Sequence, residues 1–78
     1  MGDMRALAIK NHLSREMGAR RISIKALAEQ ADLAYGTVFA LYHDQASRIE
    51  FATLDKLCRA LGCGVADLLE YMPGEQAA

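Results

Sequence analysis

Tryptophan is missing from this chain, proline occurs once and cysteine twice in 78 residues. Aromatic residues make up only 6%, so a core has to be built from aliphatic side chains. No stretch approaches the roughly 20 apolar residues that a membrane-spanning helix needs. No Pro- or Ser-rich linker, repeat or low-complexity run divides the chain, which therefore reads as one small domain. The two cysteines, Cys58 and Cys63, have no second Cys or His pair at zinc-ligand spacing, and His12 and His43 stand apart. No metal site or cofactor is expected, and both cysteines read as small buried hydrophobes in a reducing compartment. No Gly-rich loop is present to cradle a phosphate, and Ser14 and Ser47 lack the glycine elbow of a nucleophile. An enzyme is therefore not expected. Asp3, Arg5 and Lys10 put charge where a signal peptide would be apolar, so a cytoplasmic location is expected.

Hydrophobic residues make up 53% of the chain, enough to collapse without a disulfide or a metal. The net charge is only −1 and the isoelectric point about 6.0. The charge is unevenly placed, however. Residues 1–25 carry six cations against two acids, a net +4, and residues 26–78 carry three against eight, a net −5. The basic front can face phosphates, although solvated helix faces account for most charge runs.

Five helical segments are legible. The first runs from about Asp3 to Met17, with Ile9, Leu13 and Met17 recurring every four residues. The second starts behind the N-cap residue Ser23 and ends near Ala31. The third spans about Ala34 to Tyr42, and the polar stretch from His43 to Arg48 is a loop. The fourth covers about Ala52 to Ala60, with Gly62 as its left-handed terminator. The fifth, Ala66 to Tyr71, is stopped by Pro73. The expected fold is all-α, a compact five-helix bundle over residues 1–73, with residues 74–78 a flexible tail.

The stretch from Ile24 to His43, IKALAEQADLAYGTVFALYH, is the informative one. Two short helices joined at a steep angle need a small residue where they cross, and Ala28 is placed there. The turn needs a residue that tolerates positive φ, a role open to Asp32. An apolar plug follows at Leu33, and Val38 faces back onto the first helix. Leu27, Ala31 and Leu41 complete a shared core.

With those residues in place, the chain resembles the phage repressor and Cro-like helix-turn-helix domains of the Xre family, the lambda repressor-like fold. The segments ISIKALAEQADLAYGTV, RIEFATLDKLCRALG and CGVADLLEYMP carry the resemblance from about Ile9 to Pro73. It implies double-stranded DNA as partner and a homodimer on it, the contact coming either from the Leu69, Tyr71 and Met72 edge of helix five or from pairing templated by the DNA. It implies that Ser23 caps the second helix near a phosphate and that the recognition helix begins at Ala34. Tyr35, Gly36 and Ala40 take the positions that usually meet base edges, with Thr37 and Phe39 beside them. The loop from His43 to Arg48 follows the DNA backbone. The sequence departs from the family pattern at three places. Ile24 replaces a common Gln, Ala34 replaces a hydroxyl cap, and the base-reading positions lack a side chain capable of bidentate hydrogen bonds.

Tyr35, Phe39 and Tyr42 form an aromatic row in the third helix. Tyr42 is expected to pack back onto the fourth helix, and Tyr35 to be exposed. The functions in view are a DNA-binding transcriptional regulator and, as the alternative, an antitoxin-like or phage-encoded protein-interaction module working through the aromatic face. In the first reading Arg20 and Arg21 are mostly a solvated face.

Overall fold

The computed structural model describes residues 8–73. A short strand, β1 (Ile9–Asn11), leads into four helices, α1 (Leu13–Arg20), α2 (Ile24–Ala31), α3 (Tyr35–Tyr42) and α4 (Phe51–Leu61). A single turn, α5 (Val65–Leu68), then runs directly into a second strand, β2 (Leu69–Tyr71). The two strands pair antiparallel, Ile9 opposite Tyr71, Lys10 opposite Glu70 and Asn11 opposite Leu69.

That ribbon corrects the all-α expectation. Helix five ends at Leu68, and Leu69 to Tyr71, read as helical from sequence, are extended. The first helix starts at Leu13, so only Leu13 and Met17 of the four-residue recurrence share its buried face. Ile9 lies in the strand, and the expected start of that helix, with Met1 and Met4, falls outside the described residues. So does the tail at 74–78. The reason is long-range. An extended segment after Leu68 exposes backbone donors and acceptors, and the segment at Ile9 satisfies them across some 60 residues of sequence. Beyond the ladder itself, Met72 N–H donates to the Ala8 carbonyl and His12 N–H to that of Leu68.

The core draws on every helix: Leu13 and Met17 from α1, Leu27, Ala28 and Ala31 from α2, Val38 and Leu41 from α3, Leu57 and Leu61 from α4, and Leu68 from α5. Apart from the two alanines these are medium-sized side chains whose complete burial is worth about 1.5–3 kcal/mol each. Loss of a fully buried one such as Leu27 costs about 2–5 kcal/mol.

Four helices end in the same way. A left-handed residue follows each of them, and the N–H of the next residue reaches back to a carbonyl five residues earlier. The left-handed residues are Arg21, Asp32, Asp44 and Gly62. The back-bonding pairs are Ile22 to Met17, Leu33 to Ala28, Gln45 to Ala40 and Cys63 to Cys58. This satisfies terminal carbonyls and turns the chain sharply, which is how an eight-residue helix stops on cue. The Asp32 and Gly62 terminators are as expected from sequence. Those at Arg21 and Asp44 are not singled out there: arginine does not advertise a left-handed backbone, and Asp44, of the same tolerant type as Asp32, reads only as part of a polar loop.

Candidate nucleic-acid interface

The unit from α2 to α3 is assembled as its sequence requires. Ser23 precedes α2 in extended conformation, and its Oγ accepts the Ala26 N–H at 3.0 Å. Only Asp32, Leu33 and Ala34 separate α2 from α3. Asp32 takes φ 58° and ψ 51°, Leu33 packs against the core, and Ala34 is extended at the head of α3. Ala28 and Val38 are buried, Val38 with no exposed surface.

Burying Val38 and Leu41 turns the rest of α3 outward. Tyr35, Gly36, Thr37 and Phe39 are exposed, and Ala40 is half-buried. A Cβ built on Gly36 meets nothing within 4 Å, so this position is open to whatever lies against the helix. Ala34 offers no side-chain cap, which leaves the first turn of α3 without the hydroxyl acceptor that serves α2.

The aromatic row is a ladder along one side of this face. The Tyr35 and Phe39 rings lie 6.1 Å apart between centroids, and Phe39 and His43 lie 4.4 Å apart. Tyr42 is not fully buried. It is 37% exposed, close to Phe39 at 38%, and its ring meets His43 edge-on at 4.9 Å.

Arg48 is exposed in the segment between α3 and α4 and shares one surface depression with Thr37, Ala40, Ile49, Glu50 and Thr53. Thr37, Ala40 and Arg48, inferred separately from sequence, are thereby brought together. Ser23 lies apart from that depression at the start of α2, and His43 belongs to the aromatic ladder.

The basic front divides into two kinds of residue. Arg15 donates to the Asp67 carbonyl at 3.1 Å and pairs with Glu16. Arg20 donates to the Leu61 carbonyl at 2.7 Å and to the Glu16 carboxylate at 2.8 Å, clamping the ends of α1 and α4 together. These two cations hold the fold. Further along, Lys56 donates to the Asp32 carbonyl at 3.2 Å, and Arg59 pairs with Asp55. Among the described residues Arg21, Lys25 and Arg48 have no ion pair or side-chain hydrogen bond, and all three are exposed. Lys25 was not singled out by sequence reasoning. Its position two residues after the Ser23 cap, on the first turn of α2, was the available signal. Asp44 and Glu50 lie on the same loop as Arg48 and moderate its field.

Residues 12–74 match the Cro/C1-type HTH DNA-binding domain. The chain belongs to that family. This HTH domain is also 29% identical over 69 residues to an uncharacterized HTH-type transcriptional regulator, YozG, of Bacillus subtilis (strain 168), covering 88% of the chain and 82% of that protein. The resemblance inferred from Ala28, Asp32, Leu33 and Val38 is thus the family of the domain, and its business is binding DNA. Among the described residues no helix is long and apolar enough to cross a membrane, and no group of three or more His, Cys, Asp or Glu is arranged to hold a metal ion.

Proposed function

We propose that this domain is a cytoplasmic transcriptional regulator that lays α3 in the major groove of duplex DNA and binds as a homodimer. The observation that carries the reading is the division of α3 into a buried side, Val38 and Leu41, and an open side, Tyr35, Gly36, Thr37 and Ala40. Ser23 and Lys25 at the head of α2, and Arg48 beyond α3, meet phosphates on either side of the groove. Sequence readout is modest. Tyr35 offers one hydrogen bond, Ala40 and Phe39 apolar contact to a thymine methyl, and Gly36 close approach of the backbone. Phosphate contacts and duplex shape supply the rest. The dimer contact lies on the β2 edge, where Ile9 and Tyr71 face each other across the ribbon and are both exposed. Two recognition helices about one helical turn apart then read a two-fold symmetric site.

The deciding experiment is selection of bound sequences from random duplex DNA at moderate salt, followed by NMR titration with the winner. Enrichment of paired half-sites about 10 bp apart, with the amides from Tyr35 to Ala40 shifting, is the expected result. Unmoved amides on α3 while other surfaces respond would end the groove-reading assignment.

A second reading is favoured by the Tyr35, Phe39 and His43 ladder, which is more apolar than a groove reader requires. In it the same face docks a protein. Salt separates the two, since phosphate contacts weaken steeply as salt rises and an apolar contact does not.

A further inference from the structure

The end of α4 brings the chain's two thiols into one turn. Gly62 is left-handed, at φ 69° and ψ 36°, and its N–H donates to the Cys58 carbonyl at 2.8 Å. The Cys63 N–H donates to the same carbonyl at 3.1 Å. In this terminating motif the side chain after the left-handed residue folds back onto the side chain four residues before it, and the contact is ordinarily apolar. Here both positions are cysteine. Both thiols are free, both are half-buried, and both pack against the core. Desolvation first and then the neighbouring Cys58 push the Cys63 thiol up, so it holds its proton more tightly than a free thiol. Cys58 and Cys63 are the only cysteines in the sequence, so neither has another intramolecular partner.

We propose that Cys58 and Cys63 form a redox-active dithiol, which a hydroperoxide closes to a disulfide across the end of α4 and a thiol reductant reopens. In the first step one thiolate attacks a peroxide oxygen. The O–O bond breaks, the sulfur becomes a sulfenic acid, and the departing hydroxide takes up a proton to become water. The second thiolate then attacks the sulfenic sulfur. An S–S bond forms and the hydroxyl group leaves as a second water on protonation. Two thiols lose two electrons and two protons, and one hydrogen peroxide is reduced to two waters. The backbone at Cys58 and Cys63 is already joined by a hydrogen bond, so closure tightens an existing turn. This thiol chemistry adds to the packing role expected from sequence.

The test uses the full reduced chain with hydrogen peroxide as the probe. Expected results are loss of about 2 Da, a fall from two iodoacetamide-reactive thiols to none, monomer on a non-reducing gel, and full reversal by dithiothreitol. Trypsin cleavage after Arg59 separates the two cysteines, so the product appears as a cross-linked peptide pair. The oxidised form should melt several degrees higher than the reduced form, because the motif is already set for the bond. Cys58→Ser and Cys63→Ser each keep one thiol and should give no internal cross-link. The same chain unfolded in urea is the control for the oxidant. If that control cyclises while the folded protein keeps two reactive thiols, the fold holds the sulfurs apart and the proposal is overturned. Gain of oxygen at each cysteine without a cross-link, intermolecular dimers, or a lower melting temperature on oxidation would overturn it as well.

Discussion

The side-chain amide of Asn11 donates to the main-chain carbonyl of Leu41 at 2.6 Å, joining β1 to the last turn of α3. The same side chain accepts the Leu13 N–H at 2.9 Å, so one residue ties the first residue of α1 to the last turn of α3. Through it the N-terminal strand and its partner β2 hold the far end of α3. The orientation of that helix thus depends on a contact 30 residues away in sequence.

Asn11→Ala should therefore cost more than its exposed neighbours. Losing both bonds at a part-buried site is worth about 1–3 kcal/mol. DNA affinity should fall as well, although Asn11 lies off the outward face of α3. Urea unfolding and a DNA titration on the same preparation check this. Loss of stability with unaltered affinity would show that the α3 end needs no tether.

The two helices of the DNA-binding unit are capped unequally, and that gives a paired prediction. Ser23→Ala removes the acceptor for Ala26 N–H and should destabilise by about 1 kcal/mol. Ala34→Ser supplies the acceptor that α3 lacks and should stabilise by a similar amount. Chemical denaturation of both variants measures the two changes. A destabilised Ala34→Ser would mean that the first turn of α3 already has partners the added hydroxyl displaces.

Arg48→Ala and Lys25→Ala should weaken DNA binding about equally across sequences, each lowering the salt slope by about one per protomer. Arg15→Ala should act differently, since that guanidinium is committed to the Asp67 carbonyl and to Glu16. It should lower the melting temperature and leave the slope almost untouched. Binding isotherms at several salt concentrations separate the groups. Equal slopes for all three variants would contradict the division between structural and DNA-facing cations.

These contrasts also show what the sequence could and could not disclose. Ala28, Asp32, Leu33 and Val38 were legible because a tight helix-turn-helix makes local demands at fixed offsets. Ser23 and Gly62 were legible because each is the preferred residue type for its position. The ribbon was not, since β1 and β2 are three residues each and owe their structure to one another. Ile9 even keeps a helical spacing to Leu13 and Met17, which favours the wrong element. Arg15 and Arg20 count toward the basic front because composition records charge, and only packing reveals that each is held by a main-chain carbonyl. Tyr42 is more open than a core residue for a related reason. Helical periodicity gives its side of α3, but the His43 ring that it meets sits beyond the helix end.

Alkaline pH should expose the environment of Cys63. Burial raises its thiol above the ordinary value of 9.0, Cys58, Glu16 and Asp67 add to the effect, and Arg20 opposes it. The folded state thus keeps its proton at a pH where the unfolded chain has begun to lose it. The resulting stability is fully present below the ordinary thiol range and is lost as pH rises from there through the raised folded value. Unfolding midpoints in reductant should decline over that window, and Cys63→Ala should flatten the decline. An unchanged slope in the variant would assign the alkaline loss to other groups.

Gly36 offers the most direct test of what α3 faces. It sits in the first turn of the helix, exposed, and a Cβ added there would have no heavy atom within 4 Å, so a longer side chain displaces nothing. Replacing glycine in a helix also restricts the unfolded chain, and Gly36→Gln should be more stable than the parent by about 0.4–1 kcal/mol. Glutamine brings what the outward face lacks, paired donor and acceptor groups that match an adenine edge in the major groove. If α3 lies in that groove, the variant should gain a preference for adenine at one position of each half-site, worth about 1–3 kcal/mol against the other bases. Repeating the selection from random DNA with this variant reads the change directly. A binding profile identical to the parent's, from a protein that folds normally, would mean that no base lies opposite Gly36 and that the helix docks in another register.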